Sequence, residues 1–259
     1  MGPLLRRLAT AATAAALLTG CTTSPTTTYT DAAGREVTVD WADYPGHAGL
    51  DADDALAAPP QEEAERVADA LLADLQAALA ERHGLELAPH GDDAGWFPSG
   101  GNGYGGSSAY VTYNSAQRRT GDLPDDPRVW RGVVETVSEI TREHGLGPVL
   151  LDHEQTGHAW QQDERRERER SSGTTDPDGF WAWDGVARDG AQWLSLDLTD
   201  VTRHVDPRRV EDRRELGLPL RSVVLFYGVT TIADEHRDTF RQRLEPFRGL
   251  ERPAATHSG

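Results

Sequence analysis

Residues 180–204 read FWAWDGVARDGAQWLSLDLTDVTRH, and this stretch decides the fold class. Asp189-Gly190 is a strong signal for a two-residue hairpin turn between flanking alternating residues. Centred on that turn, the spacing predicts two antiparallel strands with Asp184 opposite Ser195 and Asp197 its diagonal neighbour. Side chains alternate across a strand, so each face collects its own set. One face then carries Trp181, Trp183, Leu194, Leu196 and Leu198, and it reads as core. The other carries Phe180, Asp184, Val186, Trp193, Ser195 and Asp197.

A hairpin with one apolar face needs a neighbouring strand and a covering layer. Arg221 to Ile232, with Val223-Val224-Leu225-Phe226-Tyr227 at its centre, is apolar on both faces and is expected as a central strand. The first covering helix is expected from about Gln61 to His83. Pro59 and Pro60 precede it, Glu62, Glu63 and Glu65 suit its positive end, and Gly84 supplies a left-handed stop. Its stripe is Val67, Leu71, Leu75 and Leu79. A second helix starts after Asp125 or Asp126 with Pro127 in its first turn and ends at Gly145, burying Trp130, Val133, Val134, Val137 and Ile140. A third runs from Asp234 to Arg248 and buries Phe240, Leu244 and Phe247.

Further strands are expected at Arg35 to Trp41, Leu85 to His90, Ser107 to Ser115 and from Pro148. The sum is an α+β fold: a single domain with a mostly antiparallel sheet of five or six strands and about three helices on one face. Residues 61–250 form this globular domain. Residues 161–179, which hold the charge run Asp163 to Arg170, read as a charged surface insertion. Residues 21–60 read as a flexible Thr/Pro tether followed by irregular coil, and 251–259 as a disordered tail.

The start of the chain sets its address. Arg6 and Arg7 precede an uncharged run from Leu8 to Leu18, the pattern of a secretory signal peptide. The run is about half of the roughly 20 residues a membrane-spanning helix needs. It closes with Leu18-Thr19-Gly20-Cys21, which resembles the lipobox of bacterial lipoproteins. That resemblance implies cleavage of residues 1–20 and a diacylglycerol on the Cys21 sulfur. It also implies placement on the extracytoplasmic face of the cell membrane, held by buried acyl chains. The order of elements over roughly 61–250 resembles, as a pattern only, the LppA-type lipoproteins of mycobacteria. That likeness implies an envelope protein and supplies no catalytic residues.

Composition narrows the partners. The formal net charge is −17 and every base other than histidine is arginine, a usage that fits a GC-rich actinobacterial genome. Such acidity argues against nucleic acid and against electrostatic adhesion to anionic lipid. Cys21 is the single cysteine, so no internal disulfide can form and stability must come from a core.

Four constellations are candidates for chemistry. Gly101-Asn102-Gly103-Tyr104-Gly105-Gly106 spells the dinucleotide glycine pattern, but a strand rather than a helix is expected after it, so it reads as a mobile loop or lid. His153 and His158 lie five apart, about 140° from one another on a helix, against the four-residue spacing of zinc peptidases. They remain weak metal candidates with Asp152 in a strand or loop. Asp184 and Asp197 are the candidate catalytic pair, since cross-strand diagonals approach the separation used by retaining glycosidases. Trp193 and Phe180 share their face and could stack on a sugar. Trp96 and Tyr104, beside the glycine loop, are binding candidates, and Trp41, Trp96 and Trp160 fall in coil as contact candidates. No serine sits in a nucleophile elbow, and no cofactor is expected.

The expected function is that of a non-enzymatic, lipid-anchored envelope module binding a protein or glycan. The alternative is a small envelope hydrolase using Asp184/Asp197 or His153/His158. It requires a cleft that holds at least two of these groups with strongly shifted pKa values.

Overall fold

The computed structural model describes residues 24–256; the leader and Cys21 lie outside the described residues. In chain order the elements are β1 (Thr26–Thr30), β2 (Glu36–Asp40), α1 (Ala52–Ala57), α2 (Gln61–His83), β3 (Ala88–His90), β4 (Gly95–Pro98), β5 (Val111–Asn114) and β6 (Gln117–Thr120). They continue with α3 (Pro127–Glu143), β7 (Leu150–Leu151), α4 (Ala159–Ser172), β8 (Ala182–Asp189), β9 (Gln192–Asp200), α5 (Arg208–Glu215), β10 (Arg221–Thr231) and α6 (Asp234–Leu244). No helix among the described residues is long and apolar enough to cross a membrane.

The fold is α+β. Its main sheet has eight strands, more than the five or six expected, and runs β3-β6-β10-β9-β8-β7 with β5 also on β10 and β4 on β5. Every pairing in it is antiparallel. β10 is central, as its two apolar faces required. Its one edge is shared by β6 and β5 in tandem, with a one-residue bulge between them. Ser115 fills the bulge: its N–H donates to the Tyr227 carbonyl at 2.9 Å and its hydroxyl accepts from the Tyr227 N–H at 2.9 Å.

The hairpin register corrects the sequence expectation. Asp189 pairs with Gln192, so the turn is Gly190-Ala191 and not Asp189-Gly190. Gly190 has φ +50°, which suits a glycine at the first central position. Ala191 then packs into the core at 3% exposure. The slip is two residues, so both faces keep their side chains, and Trp183, Leu194, Leu196 and Leu198 are fully buried together. What changes is who faces whom: Asp184 now sits directly opposite Asp197. Strand alternation fails upstream of β8, where residues 177–179 make a 3-10 turn. There Phe180 is wholly buried in the core, while Trp181 faces the other side.

α2 and α3 begin and end where their proline, aspartate and glycine signals put them. Asp126 caps α3 by accepting from the Arg128 N–H, Pro127 opens it, and Gly84 at φ +66° closes α2. Both helices cover the Trp183 face, where Trp130 meets Trp183 edge-on at 5.4 Å. The expectation that all helices share one face is not met. The charge run 163–170, expected as a surface insertion, forms most of α4, which binds the opposite face through Arg168 and Asp184. α6 packs in a second core around the end of β10.

Among the described residues, that second core takes up much of the chain expected as tether, coil and tail. β1 and β2 form a hairpin, and Trp41, Tyr44, Ala52 and Ala55 are buried with Tyr104, Tyr110, Ile232, Phe240 and Phe247. Tyr104 donates to the Pro253 carbonyl, the Thr256 N–H to Gly103 and Arg252 to the Leu50 carbonyl, so 251–256 are docked. The glycine loop is the staple that holds this core. Asn102 is 0% exposed, and its amide nitrogen donates to the carbonyls of Trp41, Ala42 and Tyr44 at 2.9–3.0 Å. Its carbonyl oxygen accepts the N–H groups of Tyr104 and Gly106. A methyl group on Gly106 would stand 1.7 Å from the Ala42 carbonyl, which explains the glycine.

Candidate functional site

α4 forms despite an almost wholly polar sequence because its ends are fixed. His158 and Gln161 make a capping box, and Gly173 at φ +68° closes the helix. Pairs such as Arg166–Asp163, Arg170–Glu167 and Arg165–Glu169 line its turns. Gln161 is its only buried residue, so polar contacts attach it to the body. Arg168 bonds Asp184, and Arg165 donates to the His153 carbonyl at 3.1 Å. Ser171 accepts from the Trp181 indole at 2.9 Å and, through its carbonyl, from the Val205 N–H at 2.8 Å.

Between α4, the 3-10 turn 152–154 after β7, the start of β8 and the approach to α5 lies a cleft of about 340 Å³. That volume is at the small end of the range for ligand pockets. Asp152, His153, Glu164, Arg168, Trp181 and Asp184 line it, with His204 and Arg209 at one side. The Arg168 guanidinium lies 5.0 Å from the Trp181 ring centroid, and His204 meets the same indole edge-on at 5.2 Å.

Asp184, on the cleft lining, is one member of an acid pair. Asp197 is hydrogen-bonded to Asp184 across the β8–β9 ladder. Burial pushes its pKa up to about 7, and the charge of Asp184, this hydrogen bond and Asp152 push the same way against Arg168. The pair therefore shares a proton up to about pH 7, with Asp197 as donor and Asp184 as acceptor, while Asp184 also accepts from Arg168. Burial, then Asp184 and Glu164, also raise the pKa of Asp152. His153 is 5% exposed, set edge-on to Phe180 at 5.4 Å and beside Trp183 at 5.5 Å. Burial and then Arg168 and Arg165 lower its pKa to about 4, so the imidazole is neutral at pH 7.

Of the residues singled out from the sequence, Asp184, Asp152 and His153 reach one cleft, and Asp197 stands behind it. His158 does not join His153: it is exposed and stacks on Trp160 at 6.1 Å. Among the described residues there is no group of three or more His, Cys, Asp or Glu that could hold a metal ion. Tyr104 and Trp41 are buried in the second core, against their expected roles in contact. Trp96 is half-buried, packs on Tyr113 at 5.1 Å and donates to Glu65. Trp193 shields Gly228, where a methyl group would meet the indole at 2.2 Å. Sequence reasoning does not single out Arg168, hidden inside a run of charges, or Trp181, which alternation assigns to the core face and the structure sets on the cleft.

Comparison with known proteins gives no match: no family model, no curated protein and no solved structure is significantly similar to this chain.

Proposed function

We propose that this chain is a lipid-anchored envelope protein whose α4 cleft binds a polar, glycan-like ligand. The observation that carries the binding site is the juxtaposition, in one cleft, of the Trp181 ring with Asp184, which Asp197 backs from behind the cleft. An aromatic plane beside fixed hydrogen-bonding groups suits an amphipathic, hydroxyl-rich molecule. The lipobox at Cys21 supports the anchor. Thr26 opens β1 five residues later, so the chain between them can span at most about 18 Å. The proposed anchor thus holds the domain close to the bilayer.

The geometry favours binding over a two-carboxylate glycosidase. Retaining enzymes hold their carboxyls about 5 Å apart with the sugar bond between them. Here the two carboxyls bond each other, and Asp197 does not line the cleft.

The test is calorimetric titration with soluble cell-wall saccharide fragments. Binding is expected, and Trp181→Ala should weaken it at least about tenfold, or about 1.4 kcal/mol. Equal affinity in the two proteins would remove this cleft from the function. Cleavage of the fragments, abolished by Asp184→Asn, would replace binding with hydrolysis.

A further inference from the structure

Side chains alternate along β10, so Leu225 and Tyr227 enter the main core while Phe226 and Gly228 stand on the opposite face, the one that carries Asp184 and Asp197. Gly228 lies between Trp193 on β9 and Asn114 on β5. The Trp193 indole fills the space that a side chain at position 228 would need, and Trp193 stays half-exposed there.

Beside this indole is a second cavity, of about 370 Å³, against β4, β5, β6 and β10. Phe97, Phe226, Asn114 and Gln117 line it, together with the exposed Asp92 and Asp93. Phe97 is 54% exposed, a large apolar ring left in water. The side-chain amides of Asn114 and Gln117 make no hydrogen bond to any described residue, so their donors and acceptors are free for a ligand. Aromatic rings beside unengaged amides suit an amphipathic, hydroxyl-rich molecule, as the α4 cleft does. The two aspartates disfavour an anionic lipid surface or an acidic polymer.

The two places are joined along one face of the sheet. Phe226 pairs with Ser195, and Ser195 with Val186, and all three are half-exposed. Val186 follows Asp184 by two residues on β8, so this row leads from the second cavity to the α4 cleft. Three strand spacings across and four residues along separate Asp184 from Asn114, roughly 20 Å in all. That distance takes a chain of several sugar units.

Resting on the glycan-binding reading, we infer that this sheet face is an extended subsite, and that the protein binds a linear, neutral oligosaccharide running from the α4 cleft to the Phe97 cavity. A chain long enough to reach both places makes the second contact intramolecularly, and so binds more tightly than a short one without any stronger contact at either.

The experiment titrates the full-length protein calorimetrically with the β-1,4-linked dimer and hexamer of N-acetylglucosamine, and follows the indole signals of Trp181 and Trp193 by NMR. The hexamer should shift both indoles and bind at least about tenfold more tightly than the dimer. Phe97→Ala should cancel that gain with length, while the dimer still shifts Trp181 and the melting temperature stays that of wild type, since most of the Phe97 ring is in water. Equal affinity for the two lengths, with Trp181 responding, would overturn the extended subsite and leave the α4 cleft standing. A gain with length that Phe97→Ala leaves intact, with Trp193 silent, would overturn it as well. Sedimentation showing a dimer of the protein that Phe97→Ala splits would overturn it in favour of a second copy on this face. No binding of either oligomer would overturn both readings.

Discussion

Replacing Asn102 with alanine is expected to lower the unfolding free energy by about 4 kcal/mol. The wild-type side chain satisfies three carbonyls from the 41–44 segment and two N–H groups of its own loop, and it is entirely buried. Alanine leaves five polar groups without these partners, at about 1–3 kcal/mol for each that water cannot reach. Some will be reached, because the loop can part from the segment, and the total is set below the sum for that reason. For a domain of this size the loss corresponds to about 10 °C in melting temperature. Parting should also loosen Trp41, whose ring lies 5.1 Å from Phe247 and 5.4 Å from Tyr104. Calorimetry and Trp41 fluorescence together check the expectation. A change below about 1 kcal/mol would mean that the glycine loop is not the staple of the second core.

The second large effect is hidden in the wild type and exposed by substitution. Asp197 has a folded pKa of about 7 against an ordinary 3.8. Between those values the folded protein holds a proton that the unfolded chain has released. Its contribution to stability therefore falls as pH rises from about 4 to 7, and is level above that. At 1.36 kcal/mol per pH unit the fall is at most about 4 kcal/mol. His153 acts in the opposite sense, with a folded pKa of about 4 against 6.5. The unfolded chain binds its proton first, so this contribution rises with pH by at most about 3 kcal/mol between about pH 4 and 6.5. The two nearly cancel.

Asp197→Asn removes the falling term and keeps a hydrogen-bond donor toward Asp184. The variant should gain stability relative to wild type as pH rises from about 4 to 7, by about 2–4 kcal/mol. His153→Gln should show the reverse tilt. Urea melts at several pH values measure both differences, in which all other ionisable groups largely cancel. Parallel curves for wild type and Asp197→Asn would show that Asp197 titrates as an ordinary carboxyl.

The parts of this fold that the sequence made legible are those with a period or a terminus signal. α2 and α3 were bounded by Pro60, Gly84, Asp126 and Pro127 because capping chemistry is local. The sorting of Trp183 and the hairpin leucines survived a wrong turn because a two-residue slip preserves side-chain parity. The same slip concealed the site: Asp184 opposite Asp197 depends on register, and register turned on whether Asp189 or Gly190 came first in the turn. Asn102 was invisible because a side chain that satisfies distant backbone groups leaves no periodic trace. α4 was visible as charge, but nothing in the run 163–170 distinguishes Arg168, which meets Asp184, from its neighbours, which meet water or one another.

The cleft beneath α4 rests on an acid pair, Asp184 on its lining and Asp197 behind it, that keeps a shared proton up to about pH 7. The most direct measurement is an NMR titration of the side-chain carboxyl carbons of Asp184 and Asp197, assigned by single substitutions. Asp197 should titrate near 7 and lose that transition in Asp184→Asn. A midpoint for Asp197 near 4, unmoved by Asp184→Asn, would contradict it.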